Sequence, residues 1–374
     1  MGHFFRSIEI ARALDREQVI FVAGGERPDQ NLPANVDYRQ LPGLCMNEKF
    51  GDLRPTDEGR DLEEIKAERA QSIMRIFEEE KPDIFLIELF PFGRKAFRFE
   101  LIPVLDSIRE GRFGNVQVVC SLRDILVERK DGGKHEEKVV KYLNKYFDML
   151  LIHSDPAIAA LDETFGLMNR IEIPCLYTGF AARRPAQGSR ERIRASMGLA
   201  DHEKLLIASA GGGKVGGDLM DAVLRGFSGM DLKNTRLLML TGPFLDRTRF
   251  DELCALAAGH DNIDVERFSP DFTGLLAAAD AMISMAGYNT CMDILTSCIP
   301  AAVLPFDYNH EQRMRAERIA GYIPLKVLEP KDLIASAMED VINGLLNRNR
   351  TSPDHGINLD GSGKSAAILR ESRK

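Results

Sequence analysis

Short apolar runs alternate with amphipathic stretches along almost all of this 374-residue chain, and that alternation limits the fold more than any other feature. In the first half the runs are "QVIFVAGG", "PDIFLIELF", "VQVVCSL" and "FDMLLIHS". Each is rich in β-branched or aromatic residues and bounded by Gly, Pro or charge, as strands of a buried parallel sheet are. Helical patterns such as "DLEEIKAERAQSIMRIFEEEK" separate them. The second half continues the rhythm with "KLLIASAGGG", "TRLLMLTG", "NIDVERF", "AMISMAG" and "IPAAVLPF". Alternation of this kind predicts parallel sheets joined by right-handed crossovers. It implies an α/β chain of two Rossmann-like, doubly wound domains facing across a cleft, with ligands at the carboxyl ends of the strands.

The rhythm breaks once, in "TGFAARRPAQGSRERIRASMG", which holds Pro, Gly, Ser and five arginines. The expected division is a first domain over 1–178, a linker over 179–198, a second domain over 199–350, and a tail with a last helix over 351–374. A net charge of −8 argues against nucleic acid as a partner, because phosphate contacts need a basic face. The six cysteines are scattered without a C-x-x-C pair, which fits free thiols in a reducing compartment and gives no zinc spacing. No apolar run approaches the roughly 20 residues of a membrane span and no signal peptide opens the chain, so the expected location is the cytoplasm. A peripheral membrane contact through surface apolar residues is compatible with that.

Three junctions in the second half carry chemistry. At "LLIASAGGGKVGGDL" a strand runs into Gly211, Gly212 and Gly213, and a helix begins near Gly216 or Asp218. Bare backbone feeding a helix N-terminus presents N–H donors to an anion, and Lys214 adds a charge. The alternative is a turn whose glycines serve only positive φ. The nicotinamide fingerprint is not met, since "TRLLMLTG" lacks the acidic residue that should close the next strand. At "AMISMAGYNTCMDIL" Gly287 makes the turn, and Asn289 or Thr290 caps the helix. Asp293 either completes a capping box or takes hydrogen bonds from a ribose diol. At "IPAAVLPFDYNHEQRM" Gln312 opens a helix and offers its amide to sugar hydroxyls, or is an ordinary polar first-turn residue. Phe268 and Ala286 flank these junctions and join the donor-binding set. In the first half Glu88 and Asp124 end strands, beside Arg94 and Arg123, as base or acceptor ligand or as partners in ion pairs. "LDGSGKSAAIL" imitates a phosphate loop, but its first Gly position is Asn358 and no strand precedes it, so it reads as a turn and a last helix.

In this order and spacing, residues from about 200 to 345 resemble the donor domain of GT-B glycosyltransferases, especially the family of the bacterial N-acetylglucosaminyltransferase that makes lipid II. That family has a Gly-rich turn for diphosphate, a "G-x-x-T-x-x-E" turn-helix for the nucleoside, and then "P-F…Q-x-x-N-A". The matching positions are Gly211–Gly213, Gly287 to Asp293, and Pro305-Phe306 with Gln312 to Ala316. Asp293 replaces Glu, Met285 stands at a usually polar place, and Arg315 replaces Asn, which leaves the donor's base and sugar open. The family's first domain begins with a strand and a Gly-rich loop before "GH" and a helix. "GHFFRSIEIARAL" resembles that last junction, so the resemblance implies a strand upstream of Gly2 and makes His3 the histidine that activates the acceptor.

The resemblance implies a cytoplasmic, inverting, metal-independent enzyme that uses a nucleotide-diphosphate sugar as co-substrate and no other cofactor. His3, or else Asp124 or Glu88, takes the proton of a small-molecule or lipid-linked acceptor. Two other readings share the fold: a nucleotide-sugar epimerase or hydrolase, and a non-catalytic nucleotide-sugar-binding protein.

Overall fold

The computed structural model describes residues 2–25, 31–46, 53–57, 59–126, 133–213, 215–306 and 310–373. The chain forms two compact units, His3–Ala181 with Asp360–Lys374, and Ala182–Leu359.

The first unit opens with α1 (Gly2–Ala13), followed by β1 (Val19–Ala23), β2 (Val36–Gln40), β3 (Leu44–Met46) and β4 (Leu53–Pro55). Then come α2 (Leu62–Glu80), β5 (Ile84–Glu88), α3 (Arg98–Arg109), β6 (Gln117–Arg123), α4 (Lys134–Tyr146), β7 (Met149–His153) and β8 (Cys175–Tyr177). Strands β5-β6-β7-β8 form one parallel sheet, β1 and β2 a separate parallel pair, and β3 and β4 an antiparallel pair. The pleat sorts side chains between two cores. Val118, Cys120, Leu122, Leu150 and Ile152 join one with α3 and α4, while Val119, Met149 and Leu151 join the other with Ile10 of α1 and Leu369 near the C-terminus. All four strands expected in this half form. They are divided between two sheets, and among the described residues β1 and β5 each pair on one side only.

The second unit contains α5 (Ser189–Ser196), β9 (Lys204–Ser209), α6 (Gly217–Ser228), β10 (Thr235–Leu240), α7 (Arg247–Ala257), β11 (Ile263–Glu266), α8 (Phe272–Ala278) and β12 (Ala281–Met285). It continues with α9 (Tyr288–Ser297), β13 (Ala301–Leu304), α10 (His310–Ile319), β14 (Leu325–Val327) and α11 (Ala335–Leu346). Its sheet is wholly parallel in the order β11-β10-β9-β12-β13-β14, the doubly wound arrangement expected from the alternation. Residues 182–198, read in sequence as a joint, are packed into this unit. Arg190 and Arg194 of α5 donate to the orphan carbonyls at the end of α8, Ala277 and Ala278, at 3.0–3.2 Å. The arginines that looked like linker composition thus serve as a helix cap. The last helix, α12 (Gly361–Glu371), starts at the expected turn and belongs to the first unit.

Candidate functional site

The crossover from β9 leads to one side of the sheet and that from β12 to the other, so the winding reverses between these two adjacent strands. A reversal of this kind leaves a crevice at the carboxyl ends, where doubly wound sheets bind ligands. The glycine turn Gly211–Gly213 leaves β9 there, and Ala286-Gly287 leaves β12. The two turns are close, because a Cβ on Gly216 would stand 2.9 Å from the Met285 side chain. Gly213 has φ +84° and lies on the next strand's turn, where a Cβ would come 2.6 Å from the Thr241 carbonyl. Its glycine is therefore required by packing, as the simpler reading of the cluster proposed. Gly212 differs: an added Cβ would meet only the Phe244 ring, at 3.8 Å. Gly287 has extended φ of −66°, and a Cβ there would touch only Thr290, at 3.8 Å. Internal packing therefore does not account for a glycine at 212 or at 287. Gly216 caps α6, as expected, and Lys214 lies outside the described residues.

The turns after β12 and β13 correct three local expectations. Gly287 is the N-cap of α9, so Asn289 and Thr290 sit in the first turn and cap nothing; neither side chain bonds to another described residue. Asp293 completes no capping box. It is buried and forms a two-pronged ion pair with Arg183, whose Nε lies 3.3 Å from Oδ1. Its carboxylate is thus committed to an arginine that sequence reasoning had placed in a linker. Gln312 is the third residue of α10, not its first, and its Oε1 accepts from the Phe306 N–H at 3.0 Å. That bond pins the turn after β13 and leaves the amide nitrogen as a donor. Large apolar side chains lie exposed in the loops after these strands: Val215, Phe244, Phe268 and Phe306. Phe268 is 52% exposed.

In the first unit the structure joins two of the three proposed catalytic residues. His3, at the start of α1, places Nδ1 2.9 Å from Oε1 of Glu88, the last residue of β5. Arg6, one turn along α1, bonds the same oxygen, and Ser121 donates to Oε2 at 2.7 Å. Behind Ser121 stand His153, 2.9 Å away, and Thr178, 2.9 Å beyond it. Glu88 therefore pairs with Arg6 rather than with the Arg94 expected from sequence, though Arg94 still bears on it through space. Burial alone would push the Glu88 carboxyl up; Arg6 and the His3 hydrogen bond overcome this and hold it well below the usual carboxylate range. His3 is pulled below 6.5 by burial, against the opposing pull of Glu88. Arg6 Nη2 also stands 3.1 Å from His3 Nδ1 but bonds Glu88 as well. Since Glu88 is ionised and accepts only, its hydrogen bond with His3 requires the proton on Nδ1 and leaves Nε2 its lone pair. Nε2 bonds no other described residue, and 34% of the side chain is open. Asp124 is buried just after β6 and bonds neither His3 nor Glu88.

Sequence reasoning missed Arg6, Ser121, His153, Thr178 and Arg183. Two signals were present. Arg6 lies three residues from His3 on one helix face, and Ser121 and His153 are polar residues at the carboxyl ends of otherwise apolar runs.

Residues 209–355 match the glycosyltransferase family 28 C-terminal domain. Over 191 residues, 49% of the chain, the sequence is 25% identical to a curated relative from Halalkalibacterium halodurans, UDP-N-acetylglucosamine--N-acetylmuramyl-(pentapeptide) pyrophosphoryl-undecaprenol N-acetylglucosamine transferase. The match spans half of that relative's length. Among solved structures, the calicheamicin glycosyltransferase CalG4 is similar with a TM-score of 0.60 at 15% identity, over 98% of this chain and 93% of that one. MurG from Acinetobacter baumannii is similar with a TM-score of 0.54 at 14% identity, over 98% and 92%. The chain has the GT-B fold, and it resembles the family that the motifs of its second half suggested.

Proposed function

We propose that this chain is an inverting glycosyltransferase that moves a sugar from a nucleoside diphosphate sugar to a hydroxyl acceptor. The observation that carries the reading is the reversal point between β9 and β12. There, two glycines that packing does not require and two helix N-termini converge at the carboxyl edge of a doubly wound sheet. Backbone N–H groups of the 211–213 turn and the N-terminus of α6 receive the diphosphate and stabilise the charge that grows on the leaving group. The first turn of α9, with Asn289 and Thr290, meets the nucleoside, and the exposed Phe268 or Phe244 stacks on its base. The Gln312 amide nitrogen meets the donor sugar. His3 Nε2 removes the acceptor's proton while Glu88 holds Nδ1 and stabilises the imidazolium that forms, a contribution of about 10²- to 10⁴-fold. The sugar then passes in one in-line displacement through an oxocarbenium-like state.

The relative's name makes a uridine diphosphate sugar the first donor to try, and a lipid-linked acceptor one class beside small molecules. No helix among the described residues is long and apolar enough to cross a membrane. A membrane-borne acceptor would therefore be met by peripheral contact. An epimerase or hydrolase has no observation in its favour, since His3 with its open Nε2 suits activation of an acceptor.

The test is a panel of nucleoside diphosphate sugars read by thermal shift and calorimetry, with the Gly212→Val variant beside the natural protein. Because the space at Gly212 is open, the variant should melt within a few degrees of the natural protein yet lose at least about tenfold in nucleotide affinity, some 1.4 kcal/mol. Unchanged affinity in a folded variant removes the diphosphate from this turn.

A further inference from the structure

The hydrogen bonds around Glu88 have a direction, and it reaches deeper into the first unit than the dyad itself. An ionised carboxylate only accepts, so the single proton of Ser121 Oγ must point at Oε2, 2.7 Å away. Ser121 Oγ itself lies 2.9 Å from His153 Nε2 and, with its proton committed, accepts from that nitrogen. His153 is wholly buried, and burial, with Arg6 next, lowers its pKa to about 3, so the ring is neutral and carries one proton. That proton is on Nε2. Nδ1 then faces the Thr178 hydroxyl, 2.9 Å away, whose single proton also has the carbonyls of Gly179 at 3.0 Å and Ile152 at 3.3 Å within reach. His153 to Ser121, Ser121 to Glu88: both donors point the same way, and from the other side His3 and Arg6 point at Glu88 too.

We propose that His153 is a positioning residue for His3. By donating to Ser121 it commits the Ser121 proton to Glu88, and Glu88 so held keeps the His3 proton on Nδ1 and the basic lone pair on Nε2. The Glu88 carboxylate sets the direction of the Ser121 proton, and the His153 N–H, by occupying the serine's acceptor side, holds the hydroxyl in that donor role.

The consequence is a shift with a definite sign. The charged or titratable groups facing Glu88 are His3 and Arg6 from α1, Arg94 after β5, Cys120 from β6 and His153 from β7. Loss of the Ser121 donor leaves Glu88 ionised, because Arg6 remains, but makes the carboxylate the stronger acceptor. It then holds the His3 proton more tightly, and His3 titrates at higher pH. The link to turnover rests on the reading of His3 as the base, whereas the tautomers do not.

Long-range ¹H–¹⁵N correlation on the ¹⁵N-histidine-labelled full chain, from about pH 5 to about pH 8.5, reads both tautomers directly. His3→Gln and His153→Gln assign the two rings. The expected result is His153 protonated on Nε2 and silent to pH throughout, with His3 protonated on Nδ1 and titrating below 6.5. Ser121→Ala and His153→Leu should each raise the His3 midpoint by about half a pH unit or more. His153→Gln, whose amide nitrogen replaces Nε2, should leave it in place. Thermal melts establish that each variant is folded, and Ser121→Ala carries the test if His153→Leu is not. His153 protonated on Nδ1, or a His3 midpoint unmoved in folded Ser121→Ala, overturns the proposal. If the tautomers and shifts hold while turnover of a nucleotide sugar is unchanged in Ser121→Ala, the positioning stands and the reading of His3 as base fails.

Discussion

His3 shows how one residue's environment sets the conditions of a reaction. Burial disfavours its charged form, and the Glu88 carboxylate, itself paired with Arg6, recovers only part of that loss. The balance leaves an imidazole that is already mostly neutral at pH 6.5, the ordinary histidine value, and takes up its proton only at lower pH. A base must be unprotonated to act, so the acid limb of kcat/KM should fall below that value rather than at it. His3→Ala should lower kcat by about a hundredfold or more while donor affinity stays within about twofold, because the turns proposed to bind the donor lie on the second unit. Full turnover in folded His3→Ala would move the base to Asp124, which is buried beyond β6 and bonds neither His3 nor Glu88. Asp293 teaches the opposite lesson. Its carboxylate was read from sequence as a cap or a ribose ligand, and the structure gives it to Arg183. Spacing revealed that an acid stands in the first turns of α9, but the partner came from a residue 110 positions away.

At the scale of elements, the strands that sequence revealed are those buried on both faces. "VQVVCSL" and "FDMLLIHS" became β6 and β7, whose residues are almost all inaccessible, and such strands must be continuous apolar runs. The elements it missed are short or at sheet edges. β2 ("VDYRQ") is polar and half-exposed, and β8 and β14 are three residues each, too short to show a period. The donor turns were legible because glycine at a strand end is a local signal. The cluster around Glu88 was not, because it joins α1, β5, β6, β7 and the residue after β8 through sheet register rather than through spacing. The β1–β2 pair also stands apart in stability. A two-stranded sheet is marginal without packing, and β1 keeps Val22 37% exposed. Hydrogen exchange should therefore protect amides of β6 and β7 far longer than those of β1 and β2. Equal protection in all four strands would mean that the pair is held as firmly as the sheet centre.

For the whole molecule, the last helix couples the end of the chain to the first unit's stability. Leu369 of α12 is 2% exposed and packs with Ile10, Val119, Met149 and Leu151. Arg370 grips both carboxylate oxygens of Glu17 at 2.9 Å, and the Gly361 N–H closes onto the Phe180 carbonyl at 2.9 Å. The second unit's core, from Leu206 to Leu346, includes nothing of this helix. A chain ending at Leu359 should therefore unfold its first unit early and keep its second. Removing one buried leucine from such a core costs about 2–5 kcal/mol, a large share of the roughly 5–15 kcal/mol that holds a domain together. Calorimetry should show two transitions, the lower one moved down and the upper one in place, and nucleotide affinity should persist because the donor turns are intact. Transfer to an acceptor should fail, since His3 and Glu88 lie on the unit that loosens. A single transition moved as a whole would show instead that the two units unfold as one cooperative body, and that the helix at the end of the chain stabilises both.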